Sequence, residues 1–292
     1  MEKLFILPKP LKNREIGGLI SVKLQAADNQ LLVVDAEWGM GMRIEEVPDL
    51  PKNGALGAIE DMEVLETHGR EIARQCRERG IQSALAPVVD VNSNPDNPVI
   101  GDRSFGNDPE EVAKRGLAVM RGMQQGGIWA CAKHFPGHGD THIDSHLSLP
   151  VIDKSVEEMR ACEWVPFQAL IDAGVDMVMV GHLLFPELDS LPSSLSPRIV
   201  TGILREEMGF EGVIITDSLS MGALSGLYDP DEIAERALLA GADLLLYNGC
   251  TDEWLQEWIP KAIERITRNV SEEVIDDRLA RIERLKLAKY PL

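Results

Sequence analysis

The sequence predicts an α/β fold and, within that class, a (β/α)8 barrel of the TIM type. Short, continuously apolar runs alternate with longer segments of helical periodicity, the pattern of a parallel sheet covered by helices. Polar residues closely follow most of these runs, which would bring them to one rim: Asp35, Asp90, Lys133, His134, His182, Asp217 and Asn248. An open doubly wound sheet would concentrate its site at one switch point, and the sequence has no GxGxxG or GxxxxGK[ST] loop. We therefore prefer the barrel.

The elements alternate along the chain. Predicted strands cover residues 31–34, 84–89, 128–132, 177–180, 213–215 and 244–246. Predicted helices cover residues 61–79, 109–125, 155–173, 197–208, 231–240, 253–268 and 272–288. Ser155 with Glu158 three residues later indicates a capping box. The first strand is weakly marked, and either residues 4–7 or residues 17–21 could supply it, which leaves open whether the first β/α unit is complete or abbreviated.

Length and composition are those of an ordinary globular protein. The 292 residues are 44% hydrophobic and no linker divides them, so we expect one domain over residues 1–292. Twenty-nine basic against 48 acidic residues give a net charge of −19, which would repel nucleic acid and anionic membrane surfaces. No apolar run approaches the roughly 20 residues that span a bilayer. The four cysteines are scattered, so we expect reduced thiols and a cytoplasmic location.

Residues 133–146, KHFPGHGDTHIDSH, contain four of the six histidines, spaced every four residues. On a helix this spacing would place four imidazoles on one face and suggest a metal site. Pro136 and the glycines at 137 and 139 are incompatible with a helix, so we expect a strand end followed by a long polar loop. Such a loop is a poor rigid template for metal ligands, and we expect no metal.

Asp217 and His146 fit the requirements of glycoside hydrolysis. A retaining enzyme needs one carboxylate that attacks the anomeric carbon and a second group that protonates the leaving oxygen. His146 could donate that proton, with Asp144 hydrogen-bonded to its imidazole. Simpler interpretations remain open, because Asp217 could cap the following helix and Asp144 with His146 could fix the loop. Serine chemistry is disfavoured because Ser218 has no GxSxG context.

Four segments together resemble the bacterial β-N-acetylglucosaminidases of glycoside hydrolase family 3. The KHFPGHG run, followed by Asp-Ser-His at positions 144–146, is similar to that family's signature. The other segments are LAPVVDVN at 85–92, IGDRSFG at 100–106 and ITDSLSM at 215–221. They occur in the family's order, and the resemblance covers most of the chain between residues 31 and 250.

The resemblance implies a role for each matching residue. Asp217 would be the nucleophile that forms a glycosyl-enzyme ester, His146 the acid/base and Asp144 its partner. The sugar-binding positions would be Asp35, Arg43, Arg103, Lys133 and His134. The substrate would be a carbohydrate with terminal β-linked N-acetylglucosamine, typically an anhydro-muropeptide in cytoplasmic peptidoglycan recycling. The family needs no metal or other cofactor.

The sequence also departs from the family pattern. Residues 35–39 are DAEWG where the family usually has DQEGG, and Ser218 stands where many members have a second aspartate. The N-terminus is shorter than in typical members, which favours an abbreviated or missing first strand and helix. A dimer contact could cover that gap, and we expect a monomer or weak homodimer. A β-glucosidase, a phosphorylase and a sugar-binding homologue without turnover remain as alternatives.

The two ends of the histidine-rich stretch are predicted to have separate tasks. Lys133 and His134 leave the strand to hold the sugar. Asp144 and His146 travel on a loop whose glycines and proline permit the motion. The other two histidines of the stretch, His138 and His142, are expected to matter less than His146.

Overall fold

A computed structural model describes residues 5–8, 19–22, 31–142 and 148–287, with side chains from residue 31 onward. Eight strands form one sheet, in the order β7-β6-β5-β4-β3-β2-β1-β8. The strands are β1 (Phe5–Pro8), β2 (Leu19–Val22), β3 (Leu31–Val34), β4 (Ser83–Ala84), β5 (Trp129–Phe135), β6 (Met177–Val180), β7 (Val213–Thr216) and β8 (Leu245–Leu246). The α/β class predicted from the sequence is confirmed.

Five neighbouring strands, β3 to β7, are parallel and form half of a barrel wall. On the other side β8 pairs in parallel with β1. An isolated parallel bridge between Ile215 and Leu244 links β7 to the chain just before β8. The strand order and this bridge agree with a barrel-like arrangement in which β7 and β8 share no extended ladder.

The first unit departs from the predicted (β/α)8 repeat. Strand β2 is antiparallel to both β1 and β3. The two segments proposed as alternative first strands, residues 4–7 and 17–21, overlap β1 and β2, so both contribute strands. Residues 9–18 between them are too few for a crossover helix, which needs about a dozen residues or more, whereas an antiparallel neighbour needs only a turn. Strand β2 therefore does not continue the parallel β/α repeat, and full eightfold repetition is wrong for the described strands.

All but one of the predicted helices are present with small shifts at their ends. The helices are α1 (Asn53–Leu56), α2 (Met62–Arg77), α3 (Pro109–Gln125), α4 (Val156–Ala161), α5 (Trp164–Asp172), α6 (Arg198–Glu207, with wider π-type turns), α7 (Gly222–Ser225), α8 (Pro230–Ala240), α9 (Asp252–Asn269) and α10 (Glu272–Leu287). Asp61 and Asp108 cap α2 and α3 through their carboxylates. The predicted capping box of Ser155 and Glu158 begins α4.

The helix predicted over residues 155–173 is two helices. Helix α4 ends at Ala161, and Cys162 has non-helical backbone angles, φ −132° and ψ −81°. Pro166 lies four residues after Cys162, and a proline ring clashes with the carbonyl group four residues before it. A continuous helix is therefore broken at Cys162, and α5 begins with Pro166 in its first turn.

Two strand boundaries also differ from the prediction. The strand predicted over residues 84–89 has ladder pairing only at β4, and beyond it an isolated bridge joins Val88 to Lys133. Pro87 lies between these points and has no N–H group to donate to a ladder. Strand β5 continues to Phe135, so Lys133 and His134 lie within the strand and not after it. The peptide bonds Ala86–Pro87, Lys133–His134 and Phe135–Pro136 are cis.

The four cysteines are free, as the sequence predicts, and Cys76 and Cys131 are buried. None of the helices in the described ranges combines the length and apolar character needed to cross a bilayer.

Candidate active site

A pocket opens at the carboxyl ends of the strands. Five of the residues predicted to form the site line it together: Asp35, Arg103, Lys133, His134 and Asp217. The rest of the lining is Leu85, Val99, His138, Met179, Ser218, Met221, Leu246 and Asn248. Because these residues follow or end six different strands, the sheet itself assembles the site, as expected at the carboxyl face of an α/β barrel.

Asp35 lies between two cations. Lys133 Nζ is 2.6 Å from Asp35 Oδ1, and the Arg43 guanidinium is 2.6 Å from Asp35 Oδ2. Arg43 Nε also donates to the main-chain oxygen of Asp35 at 2.9 Å. Arg43, which the resemblance implied as a sugar-binding residue, is thus bound to Asp35 on both side chain and main chain. It lies outside the pocket lining formed by the described residues.

Glu37 joins Lys133 to Arg103 and was not singled out from the sequence. Its carboxylate accepts from Arg103 Nε at 2.9 Å and from Arg103 Nη2 at 2.7 Å, and Lys133 Nζ lies 2.8 Å from Glu37 Oε1. The side chains of Glu37 and Lys133 are only 3% and 2% exposed. Burial raises the pKa of Glu37, but Lys133 and Arg103 outweigh it and hold that pKa well below its usual value.

Lys133 is correspondingly held as an ammonium ion. Burial lowers the pKa of Lys133, and the carboxylates of Asp35 and Glu37 outweigh that effect and raise it. With Arg43 and Arg103, three cations face two carboxylates in this network. We call these five residues, Asp35, Glu37, Arg43, Arg103 and Lys133, the ion-pair network. Its single excess positive charge favours an ionised carboxylate beside it in the pocket.

His134 is fixed between Asp90 and the ion-pair network. Its Nδ1 lies 2.7 Å from Asp90 Oδ2, and its Nε2 lies 3.3 Å from Arg103 Nη2. A guanidinium only donates hydrogen bonds, so Nε2 accepts and the proton is on Nδ1, donated to Asp90. These two contacts hold the imidazole in a single orientation.

Asp90 also organises the backbone of the histidine-rich stretch. It is fully buried and accepts from the main-chain N–H of His134 at 3.1 Å and of His138 at 2.6 Å. Burial raises the pKa of Asp90, and the contacts with His134 and His138 outweigh it and lower it. The sequence placed Asp90 at a strand end without indicating that it supports two residues of the stretch.

Asp217 follows β7 directly, with its main-chain N–H donating to Val180 O at 2.8 Å. Its Oδ1 accepts from the N–H of Ser218 at 2.7 Å. Burial raises the pKa of Asp217, but His134, His182, the Ser218 N–H and Lys133 together outweigh burial and lower it. The carboxylate is therefore ionised at neutral pH, as a nucleophile requires. Helix α7 begins five residues later, and Met221 precedes it as a cap residue without a side-chain cap bond, so Asp217 does not cap that helix.

Ser218, where many family members have a second aspartate, ties Asp217 to β8. Its hydroxyl accepts from the N–H of Asn248 at 2.9 Å and lies 2.9 Å from the Ser220 hydroxyl. Ser220 in turn donates to Asn248 O at 2.7 Å. The substitution therefore leaves a hydrogen-bonded connection between the ends of β7 and β8.

The glycines after β5 are closely packed, and that the loop beyond them carries Asp144 and His146 to the substrate stays a prediction. A Cβ at Gly139 would lie 1.7 Å from Val91 O, and a Cβ at Gly137 would lie 2.7 Å from the Glu163 side chain. Gly137 also has φ +128°, which favours glycine. Residues 135–139 are buried. This first part of the loop is therefore fixed against its neighbours.

His138 and His142 have different surroundings. His138 lines the pocket, and its Nδ1 lies 2.8 Å from Thr141 Oγ1. Burial lowers the pKa of His138 to about 4, so its ring is neutral at pH 7. His142 is exposed, and its Nδ1 lies 3.1 Å from Asn94 Nδ2. That both matter less than His146 stays a prediction, although His138 is better placed for a role in the site than the sequence suggested.

Asp144 and His146, the predicted acid/base pair, lie outside the described residues. On either side of them, Lys154 connects the flanking segments. Its Nζ lies 2.6 Å from Glu163 Oε1 and 3.2 Å from Asp140 Oδ2. Within residues 31–142 and 148–287, no cluster of three or more His, Cys, Asp or Glu side chains could hold a metal ion.

A pocket that combines an ionised carboxylate with buried ion pairs at the ends of parallel strands defines an α/β enzyme domain. The family comparison makes this class specific. Residues 13–285 match the glycosyl hydrolase family 3 N terminal domain. The chain therefore belongs to glycosyl hydrolase family 3.

Similar proteins carry related names. The chain is 36% identical over 244 residues to a β-hexosaminidase of Stenotrophomonas maltophilia (strain K279a), covering 81% of this chain and 72% of that protein. It is 32% identical to β-hexosaminidase A of Pseudoalteromonas piscicida over 87% of this chain and 47% of that protein. A family 3 β-N-acetylglucosaminidase structure from Paenibacillus sp. str. FPU-7 matches with TM-score 0.84 and 41% identity, over 88% of this chain and 49% of that chain. The chain thus spans about half the length of the last two relatives.

Proposed function

We propose that the protein is a retaining exo-β-N-acetylglucosaminidase. The observation that carries the proposal is the position of Asp217, an ionised carboxylate in a pocket whose other walls include Asp35, Arg103, Lys133 and His134. A nucleophilic carboxylate surrounded by hydrogen-bonding groups is what a retaining glycosidase needs. The names of the β-hexosaminidase and β-N-acetylglucosaminidase relatives support N-acetylglucosamine as the sugar.

In the proposed mechanism Asp217 forms a bond to the anomeric carbon as the bond from that carbon to the leaving oxygen breaks. His146 gives its proton to the leaving oxygen, and Asp144 orients its imidazole. His146 then takes a proton from water, the water oxygen bonds to the anomeric carbon, and the ester to Asp217 breaks. Two inversions at the same carbon give net retention.

The remaining residues bind the sugar hydroxyls. Asp35 accepts hydrogen bonds, and its two cationic partners limit the cost of keeping its charge in the pocket. Among the described residues Lys133 Nζ contacts Asp35 and Glu37, which leaves its third hydrogen for a sugar oxygen. Arg103 is bound to Glu37, His134 and Val99 O and has one further N–H to donate. Arg43 acts on the sugar indirectly, by holding Asp35.

We further propose that the natural substrates are peptidoglycan fragments and that residues 1–292 work as one catalytic domain in the cytoplasm. The resemblance of the KHFPGHG stretch to peptidoglycan-recycling enzymes supports the substrate. Four free cysteines fit a reducing compartment.

Release of nitrophenol from p-nitrophenyl β-N-acetylglucosaminide tests the proposal. Wild-type protein should release it, and Asp217→Ala should reduce the rate by at least about 1,000-fold, because the covalent route is lost. Asp276→Asn, an exposed carboxylate on α10, is the control and should keep the wild-type rate. Undiminished activity of Asp217→Ala would refute the assignment.

The alternatives are separated in the same assay. A β-glucosidase would prefer the p-nitrophenyl glucoside. A phosphorylase would release sugar 1-phosphate when phosphate is added. A protein that binds N-acetylglucosamine without releasing nitrophenol would be a non-catalytic homologue.

A further inference from the structure

The contacts described for the Asp217 carboxylate come from its own backbone segment. Oδ1 is bound by the N–H of Ser218, and the N–H of Asp217 is bound by Val180 O at the end of β6. The direction of the carboxylate therefore depends on the orientation of the peptide unit between residues 217 and 218. A group that restrains the backbone of Ser218 therefore also restrains the nucleophile.

His182 contacts the other side of this segment. Its Nε2 lies 2.9 Å from Ser218 O, and its ring is completely buried. A carbonyl oxygen only accepts, so Nε2 carries a hydrogen and donates it. Because Val180 O and the His182 ring both belong to the segment at the end of β6, this segment binds residues 217 and 218 from both directions.

The imidazole of His182 is itself fixed by two serines. Its Nδ1 lies 2.7 Å from Ser194 Oγ, which is also buried. The neighbouring Ser193 binds the main chain on either side of His182, donating to Gly181 O at 2.7 Å and accepting from Leu183 N–H at 3.0 Å. Ring and backbone are thus held by one short segment, and Nε2 has a defined direction.

We propose that His182 is a positioning residue for the nucleophile. Its Nε2–H fixes the Ser218 carbonyl, which belongs to the peptide unit between residues 218 and 219, and through the Ser218 Cα it restrains the adjoining N–H group that orients Asp217 Oδ1. The inference rests on the proposed function of Asp217. His182 does not line the pocket that the described residues form, so it acts through Ser218 and does not contact the sugar.

This role predicts a specific kinetic pattern. The sugar-binding groups are supplied by the segment after β3, by Arg103 and by β5, whereas the His182 contact joins the segments after β6 and β7. Loss of the Nε2–H donor should therefore misplace the nucleophile and leave binding of the sugar nearly intact. Because small misplacements of reacting groups cost about 100-fold in rate, His182→Leu should lower kcat by about that factor with KM changed less than about 3-fold.

Two further variants separate positioning from general loss of structure. His182→Gln retains a side-chain N–H near the place of Nε2 and should recover kcat to within about 10-fold of wild type. Ser194→Ala leaves the ring but removes its partner at Nδ1, and it should lower kcat less than His182→Leu does. His68→Gln, a change of another buried histidine on α2, is the control and should keep kcat.

The experiment measures kcat and KM on p-nitrophenyl β-N-acetylglucosaminide for wild type and these four variants, together with the Tm of each. A large kcat loss in His182→Leu at nearly constant KM, with recovery in His182→Gln, is the expected result. Wild-type kcat in His182→Leu, or equal losses in folded His182→Leu and His182→Gln, would overturn the proposal. Failure of the wild type to turn over the substrate would instead refute the proposed function, and this inference with it.

Discussion

At the scale of single residues, the site depends on buried ion pairs whose opposite charges neutralise one another. Glu37 is the central member of the ion-pair network, since it contacts both Lys133 and Arg103. Removal of one partner from a buried ion pair is costly because the other charge is left uncompensated. The ability of Lys133 and Arg103 to bind sugar therefore depends on a carboxylate that does not line the pocket.

Glu37→Gln tests this dependence. The variant keeps the shape of the side chain and leaves Lys133 and Arg103 without their shared negative charge. We expect the free energy of unfolding to fall by about 3–5 kcal/mol and the KM to rise by about 10-fold. Urea unfolding and steady-state kinetics measure the two effects, with exposed Glu60→Gln as the control. Wild-type stability and KM in Glu37→Gln would show that the buried charge is dispensable.

The sequence identified the polar residues that line the pocket, but not the buried carboxylate that forms ion pairs with them. Asp35, Arg103, Lys133, His134 and Asp217 were all predicted, from strand-end positions or from family motifs, and all line the pocket. Glu37 was missed because its partner Arg103 lies 66 residues away in the sequence. No local pattern distinguishes a carboxylate that pairs across such a distance from one in solvent. The DAEWG segment around it was visible only as a departure from the family.

At the scale of elements, the first residues after β5, 136–139, are packed against their neighbours. Asp90 binds two of its backbone N–H groups, and Gly139 approaches the Val91 carbonyl too closely for any side chain. Glycine has two uses, conformational freedom and close approach, and the sequence does not distinguish them. The prediction of loop motion invoked the first use; in the described residues Gly139 shows close approach, and the motion of the loop beyond it stays a prediction.

Gly139→Ala should therefore destabilise the protein. The added methyl group meets Val91 O, and the backbone has to shift, which typically costs about 1–3 kcal/mol. Gly226→Ala is the matched control, because a Cβ there has no atom within 4 Å. Thermal unfolding of both variants measures the difference in Tm. If Gly139→Ala melts together with the control, the segment is not packed as described.

The predicted helix boundaries agree with the structure where a local signal such as a cap sets them. They agree less well where a steric conflict interrupts a regular apolar pattern. The predicted starts of α3, at Pro109, and of α4, at the Ser155 capping box, agree with the structure. The break between α4 and α5 was missed, although Pro166 was a visible signal, because the apolar pattern continues across it. A steric conflict at one backbone carbonyl outweighs a regular pattern of side chains.

At the scale of the whole molecule, the antiparallel β2 is the main departure from the predicted barrel. The direction of a strand relative to its neighbours depends on which strands pair, and an apolar run of four residues does not specify the pairing. The length of the connection could have indicated antiparallel pairing, since a parallel crossover needs more residues than lie between β1 and β2. The five parallel strands that carry most of the site were all predicted as parallel strands, with different boundaries at β4 and β5.

Stability is expected to fall between pH 6.5 and pH 4. Burial lowers the pKa of His68 to about 4, whereas an unfolded histidine titrates near 6.5. As the pH falls through this window the unfolded chain takes up a proton that the folded protein does not, so the free energy of unfolding decreases, by about 3 kcal/mol for His68. The pKa of His138 is lowered to about 4 by burial as well and acts in the same direction.

His68→Gln isolates one of these contributions. The variant has no titrating ring at position 68, so relative to wild type it should gain about 3 kcal/mol of stability as the pH is lowered from 7 to 4. Urea unfolding of both proteins across this range measures the difference, and the titration of surface carboxylates cancels in the comparison. A difference that does not change with pH would contradict the buried, neutral state of His68.

The central claim is that Asp217 forms a covalent bond to N-acetylglucosamine. Incubation with 5-fluoro-N-acetylglucosaminyl fluoride, followed by proteolysis and mass spectrometry, tests it most directly, because a slowed second step lets the ester accumulate. We predict one labelled peptide that contains Asp217, with a mass increase equal to the fluorinated sugar, and no label in Asp217→Asn. A label on another residue, or turnover of the reagent without a labelled peptide, would contradict the account.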